Sequence, residues 1–87
     1  MSVNAYTTQR GDRIVVGQLY RDAKGATIRT LRVDRIDPDP DSLGADIHFT
    51  VIEAKTGDKV TTPMRTNSMT AHHLTGRDFN LITESAR

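Results

Sequence analysis

Apolar and polar positions alternate with a period of two over several short stretches, the spacing of strands rather than of long helices. The clearest stretch is 47–54. Ile47, Phe49 and Val51 share one face there, while His48, Thr50 and Ile52 share the other. Residues 13–22 are rich in β-formers but interrupted by Gly17, which predicts a short strand, a bend and a second short strand. A turn over 23–26 leads into the longest candidate strand, 27–37. Its apolar residues Ile28, Leu31, Val33 and Ile36 do not share one parity, so a straight strand cannot bury all four. A bent strand with a bulge near each end can. A helix competes through the spacing of Ile28, Leu31 and Arg35, but the β-branched residues favour the strand.

Residues 38–46 form a loop by composition, with Pro38 and Pro40 among aspartates. Lys55 to Asp58 reads as a hairpin loop, and 59–65 as its return strand, which Pro63 restricts to an edge or an end. Residues 68–74 read as a short helical turn capped by Asn67 or Ser68 and stopped by Gly76. A last strand follows over 78–83. Residues 1–10 are polar and aperiodic, a flexible N-terminal arm by this reading, and 84–87 a frayed tail. The expected core is Val16, Leu19, Leu31, Val33, Ile36, Ile47, Phe49, Val51, Val60, Met64, Leu74, Phe79 and Leu81.

The order predicts an all-β fold, a small barrel of about five antiparallel strands over 11–83, with a helical turn before the last strand. That order resembles SH3-like small barrels. The runs Val16–Asp22, Leu31–Ile36 and Phe79–Ile82 are similar to small SH3-like proteins of actinobacteria and their phages. The resemblance implies a fold and a mobile-element setting, and it brings no site residues. Gly11-Asp12-Arg13-Ile14-Val15-Val16, followed by Lys24-Gly25 and the run to Ile36, is similar to a KOW-type motif, which implies RNA or ribosomal partners.

Composition narrows function by exclusion. Among 87 residues there are no cysteines and no tryptophan, and the net charge is +1. Disulfides and thiolate chemistry are therefore absent, and the electrostatic pull on nucleic acid is weak. Two tyrosines and two phenylalanines are too few for a proline-helix groove or a methyl-lysine cage. Without an apolar leader, with Ser2 rather than glycine, and without an apolar span, the reading is a cytoplasmic protein with no membrane role. No nucleophile elbow or phosphate loop occurs, and a domain this small has few residues to wall a pocket. The expectation is a non-enzymatic module with no cofactor, no metal and no small-molecule substrate.

Two kinds of partner remain. A protein partner, or a second copy, would use edge strands and an apolar patch of Ile52 with Val15 or Ile82; Ile52, Ile82 and Tyr20 are the candidate contacts. The alternative is nucleic acid on an arginine-bearing strand face: Arg29, Arg32 and Arg35, with Arg21 and Lys24. On a regular strand Arg29 and Arg35 share a face and Arg32 does not. Against that alternative, the three arginines can instead be neutralised by Asp22, Asp34 and Asp37. Asp37, Asp39, Asp41 and Asp46 suit a solvated acidic loop better than a calcium loop, because their spacing lacks the required glycine and glutamate. His72 and His73 diverge by about 100 degrees on a helix and are poorly placed to share a metal.

Overall fold

In the computed structural model, which describes residues 2–39, 44–76 and 78–82, the breaks between strands fall largely at glycine and proline. The order is β1 (Ala5–Thr7), β2 (Arg13–Val15), β3 (Leu19–Lys24), β4 (Thr27–Pro38), β5 (Ala45–Thr56), β6 (Lys59–Thr61), β7 (Arg65–Thr70), α1 (Ala71–Leu74) and β8 (Phe79–Ile82). Gly17 separates β2 from β3 at φ +97°, a conformation that costs glycine little, and its N–H donates to Val33 O at 2.8 Å. Thr62, Pro63 and Met64 separate β6 from β7. Met64 takes φ +53° and its N–H donates to Val51 O at 2.9 Å.

The main sheet is antiparallel, in the order β6-β5-β4-β3-β8, with β7 paired to the same edge of β5 as β6. β7 pairs with residues 46–51 of β5 and β6 with residues 54–56. β1 and β2 form a separate two-stranded ladder, tied to the main sheet by the bridge from Val3 to Ile36. The described strands do not close into a barrel, because β7 and β8 each pair on one side only. Among the described residues no helix is long and apolar enough to cross a membrane.

Two register slips bend the β4–β5 ladder. Asp34 is an extra residue on β4 between Val33↔Phe49 and Arg35↔His48. Ile52 is an extra residue on β5 between Leu31↔Val51 and Thr30↔Glu53. Each bulge flips the parity of the residues beyond it. Leu31, Val33 and Ile36 of β4 therefore all point inward despite their mixed parity, and all are buried. Ile28 stays outward at 39% exposure. On β5 the inward set is Ile47, Phe49 and Val51, as the alternation predicts. Leu74 and Ala71 of α1 seal one end of the core.

Several expectations need correction. The N-terminal arm is not free throughout: residues 5–7 pair with β2, Val3 and Tyr6 pack on the core, and Ile14, opposite Tyr6 in that ladder, is fully buried. The helical turn is shorter than 68–74. β7 runs on to Thr70, whose side chain, not that of Asn67 or Ser68, caps α1 by accepting from the His73 N–H at 3.2 Å. Four expected core residues are largely exposed: Val16 at 36%, Leu81 at 51%, Val60 at 51% and Met64 at 54%. Val60 lies on the β5–β6 hairpin beyond the Ile52 bulge, where nothing packs over it. Asp41, Thr83 and the tail 84–87 lie outside the described residues.

Phe49→Ala is expected to cost about 3–5 kcal/mol in urea unfolding, whereas Val60→Ala is expected to stay within about 0.5 kcal/mol of the parent.

Candidate functional site

The charged residues of β3 and β4 are placed by their turn. A two-residue connection, Gly25-Ala26, sets Lys24 opposite Thr27 and Asp22 opposite Arg29. Both Asp22 and Arg29 lie on the inward parity of the sheet. Arg29 Nε donates to Asp22 Oδ2 at 3.1 Å, and Nη2 donates to the same oxygen. The Asp22 side chain is 1% exposed and that of Arg29 43%, so a buried carboxylate holds a guanidinium that reaches the surface. Asp22 Oδ1 has no hydrogen-bond partner.

The Asp34 bulge places Arg32 and Arg35 together on the outer face, opposite to Arg29. This reverses the pairing of faces expected for a regular strand. Arg32 Nε donates to Asp34 Oδ1 at 2.8 Å, and the Thr50 hydroxyl donates to Asp34 Oδ2. Arg35 Nε donates to Asp37 Oδ1 at 2.9 Å, and His48 Nε2 lies 2.9 Å from Asp37 Oδ2. The hydrogen bond from Arg35 holds the Asp37 carboxyl below its ordinary value, against partial desolvation, with His48 adding to the effect. Each arginine of the candidate basic face thus has an aspartate partner, Arg32 and Arg35 on the outer face and Arg29 on the inner one. Arg21 is exposed without an ion pair among the described residues, and Lys24 ends β3 opposite Thr27.

The proposed apolar contacts are not brought together. Ile52 sits in the β5 bulge, Ile82 on β8, with β4 and β3 between them, and both are half-buried. Tyr20 is a core residue at 4% exposure, and its hydroxyl lies 3.4 Å from Gln18 Oε1. Burial pushes its pKa up, with Asp12 contributing. Among the described residues no three His, Asp or Glu side chains converge on a point where a metal would sit.

What the fold does create is a cleft of about 350 Å³ between β7 and β8. Residues Arg65 to Met69 form one wall, Phe79 and His73 the other, with Phe49, Val51 and Arg29 between them. The His73 ring meets that of Phe79 edge-on, with centroids 5.5 Å apart. β7 is exposed from Arg65 to Ser68, and Leu81 of β8 is half-exposed although its parity points inward. Periodicity could not show this cleft, because it arises where two strands fail to meet. The Asp22–Arg29 pair is within reach of the sequence, since a two-residue turn at 25–26, in place of one over 23–26, sets the two residues opposite each other.

Comparison of the chain with protein-family models, with curated proteins and with solved structures finds no match.

Arg29→Gln leaves a carboxylate inside without its countercharge. The expected loss is about 2–4 kcal/mol, below that of a fully buried pair because the guanidinium is half-exposed, and Asp22→Asn in the same chain is expected to restore most of it. Asp37 has the opposite experimental signature. Its lowered pKa stabilises the fold above the ordinary aspartate range, and that contribution is lost as the pH falls through the lowered value. Asp37→Asn is therefore expected to flatten the acid limb of the stability–pH curve, measured by thermal unfolding below about pH 4.

Proposed function

We infer that the chain is a non-enzymatic protein-interaction module that takes up an extended segment of a partner at the seam between β7 and β8. The observation that carries this reading is the pair of strand edges facing one cleft. Each edge has one side in a ladder and the other without strand pairing among the described residues. Exposed edges in folded proteins are commonly blunted by proline, bulges or several charges. β7 runs in unbroken register from Arg65 to Thr70 with a single charge, and β8 is Phe-Asn-Leu-Ile with none. Unpaired main-chain groups beside an apolar floor are what strand addition uses.

The strand order supports a finer assignment, an SH3-like arrangement that is left open. The order β8-β3-β4-β5-β7, with a short helix between the last two strands, follows that of such small barrels. Nucleic-acid binding on the outer face has less behind it. Arg32 and Arg35 are each held by an aspartate, which leaves Arg21 and Lys55 as cations of that face without an ion pair among the described residues. A chain of net charge +1 has little counterion release to offer.

Peptides selected from a random display library against the full chain are expected to shift the amide resonances of residues 65–70 and 79–82. N-methylation of alternate backbone nitrogens in such a peptide removes strand hydrogen bonds and is expected to weaken binding about 10-fold or more. Binding that survives N-methylation, or that maps to the outer face, would overturn strand addition.

A further inference from the structure

The cleft between β7 and β8 has a charge that the chain as a whole lacks. Among the described residues its ionisable lining consists of Arg29, Arg65 and His73, with no carboxylate. Arg10, Arg32 and Arg35 each lie against an aspartate elsewhere on the surface. Arg65 is exposed and has no ion pair among the described residues. Asp22 does not neutralise the cleft in the same way. It is buried behind the wall and engages only the Nε and Nη2 side of Arg29 through one oxygen. That contact fixes the plane of the guanidinium, and Nη1 keeps its donors with no partner among the described residues. A guanidinium held from behind by a buried carboxylate and open in front is preorganised for a second carboxylate.

We propose that the cleft selects an extended peptide segment carrying carboxylate side chains, with Arg65 and the free side of Arg29 as the groups that receive them. This rests on the seam as the place where a partner strand is taken. Successive side chains of an added strand point to opposite faces, so every second one enters the cleft. A segment with Asp or Glu at alternate positions would present its carboxylates to the two arginines while its main chain pairs with an edge. A nucleic-acid backbone fits less well. Two arginines give a shallow counterion term, strand edges offer it no ladder, and Phe49 is buried while Phe79 is half-buried, which leaves the His73 ring as the one exposed ring among the described lining residues.

The test titrates the isotope-labelled full chain with three probes: a short capped peptide alternating valine and aspartate, its twin with asparagine for aspartate, and single-stranded oligothymidine. The aspartate peptide is expected to shift residues of β7 and β8 and to bind about 10-fold or more tighter than its twin. That preference is expected to shrink below about 3-fold in Arg65→Gln, whose side chain is exposed, and also in about 1 M salt. Equal affinity for both peptides, with shifts still on β7 and β8, would overturn carboxylate selection and leave the seam standing. No shift on β7 or β8 from either peptide would overturn the seam itself. Oligothymidine binding the same residues more tightly than the aspartate peptide would overturn the choice of a peptide over a phosphate backbone.

Discussion

A ladder between β4 and β5 whose register slips twice governs the rest of the molecule. In a strand, the period of two ties every side chain to a face, and only an added residue can release one from that rule. The Asp34 and Ile52 bulges supply two such releases. With both in place, Leu31, Val33 and Ile36 point inward beside Ile47, Phe49 and Val51, and the pair of strands curls around them. Without the Asp34 bulge, Ile36 and Arg35 would exchange faces, and a guanidinium would stand in the core.

The same slips decide the electrostatics. Arg29 lies before the Asp34 bulge and points inward, where the buried Asp22 receives it. Arg35 lies after the bulge and joins Arg32 on the outer face. On that face the aspartates stand two residues on from each arginine, within reach along the strand. Exposed pairs of this kind contribute little to stability. Their effect is to cancel a basic stripe that the bare sequence displays. The inner pair differs, because it has a desolvated carboxylate and cannot be separated cheaply. One motif, arginine followed by aspartate along a strand, thus yields a silent surface on one face, while an arginine paired across strands yields an oriented cation on the other.

Much of this was legible in the chain. Gly17, the Gly25 turn, the Gly57 hairpin and Pro63 mark four of the five joints from β2 to β7, and the alternation at 47–51 identifies the inward face of β5. The mixed parity of Leu31, Val33 and Ile36 required a bulged strand, and the strand is bulged. Ile28 belonged to the same argument but points outward, because the second slip adds its residue, Ile52, to β5 and leaves β4 without a bulge between Ile28 and Leu31. What was not legible depends on the residues opposite a position rather than on its neighbours in sequence. Ile14 is buried because its ladder with β1 sets it opposite Tyr6 and against the core. Val60 and Met64 alternate as core residues do, yet the hairpin holding them overhangs the core. Tyr20 resembles a surface aromatic and becomes a buried one through its place opposite Leu31 and Leu81. The cleft has no local signal, since it is a property of two strands that do not pair.

An open seam in a domain of this size requires that its ends be sealed by something else, since unpaired strands beside an exposed core invite water. Here α1 seals one end with Ala71 and Leu74, both buried. Residues 3–15 cover another side through β1, β2 and Ile14. With the core secured there, β7 and β8 need not meet to complete the hydrophobic interior. Their free edges are then not a defect of closure, because the burial that stabilises the fold lies in the β3–β4–β5 layer and under its covers. On the proposed reading, a strand entering or leaving the seam would not expose Leu31, Val33, Ile36 or Ile47, which are buried in its absence. Such uptake would keep the energetics of binding apart from those of folding, and a small domain with a single core needs that separation if binding is not to compete with its own stability.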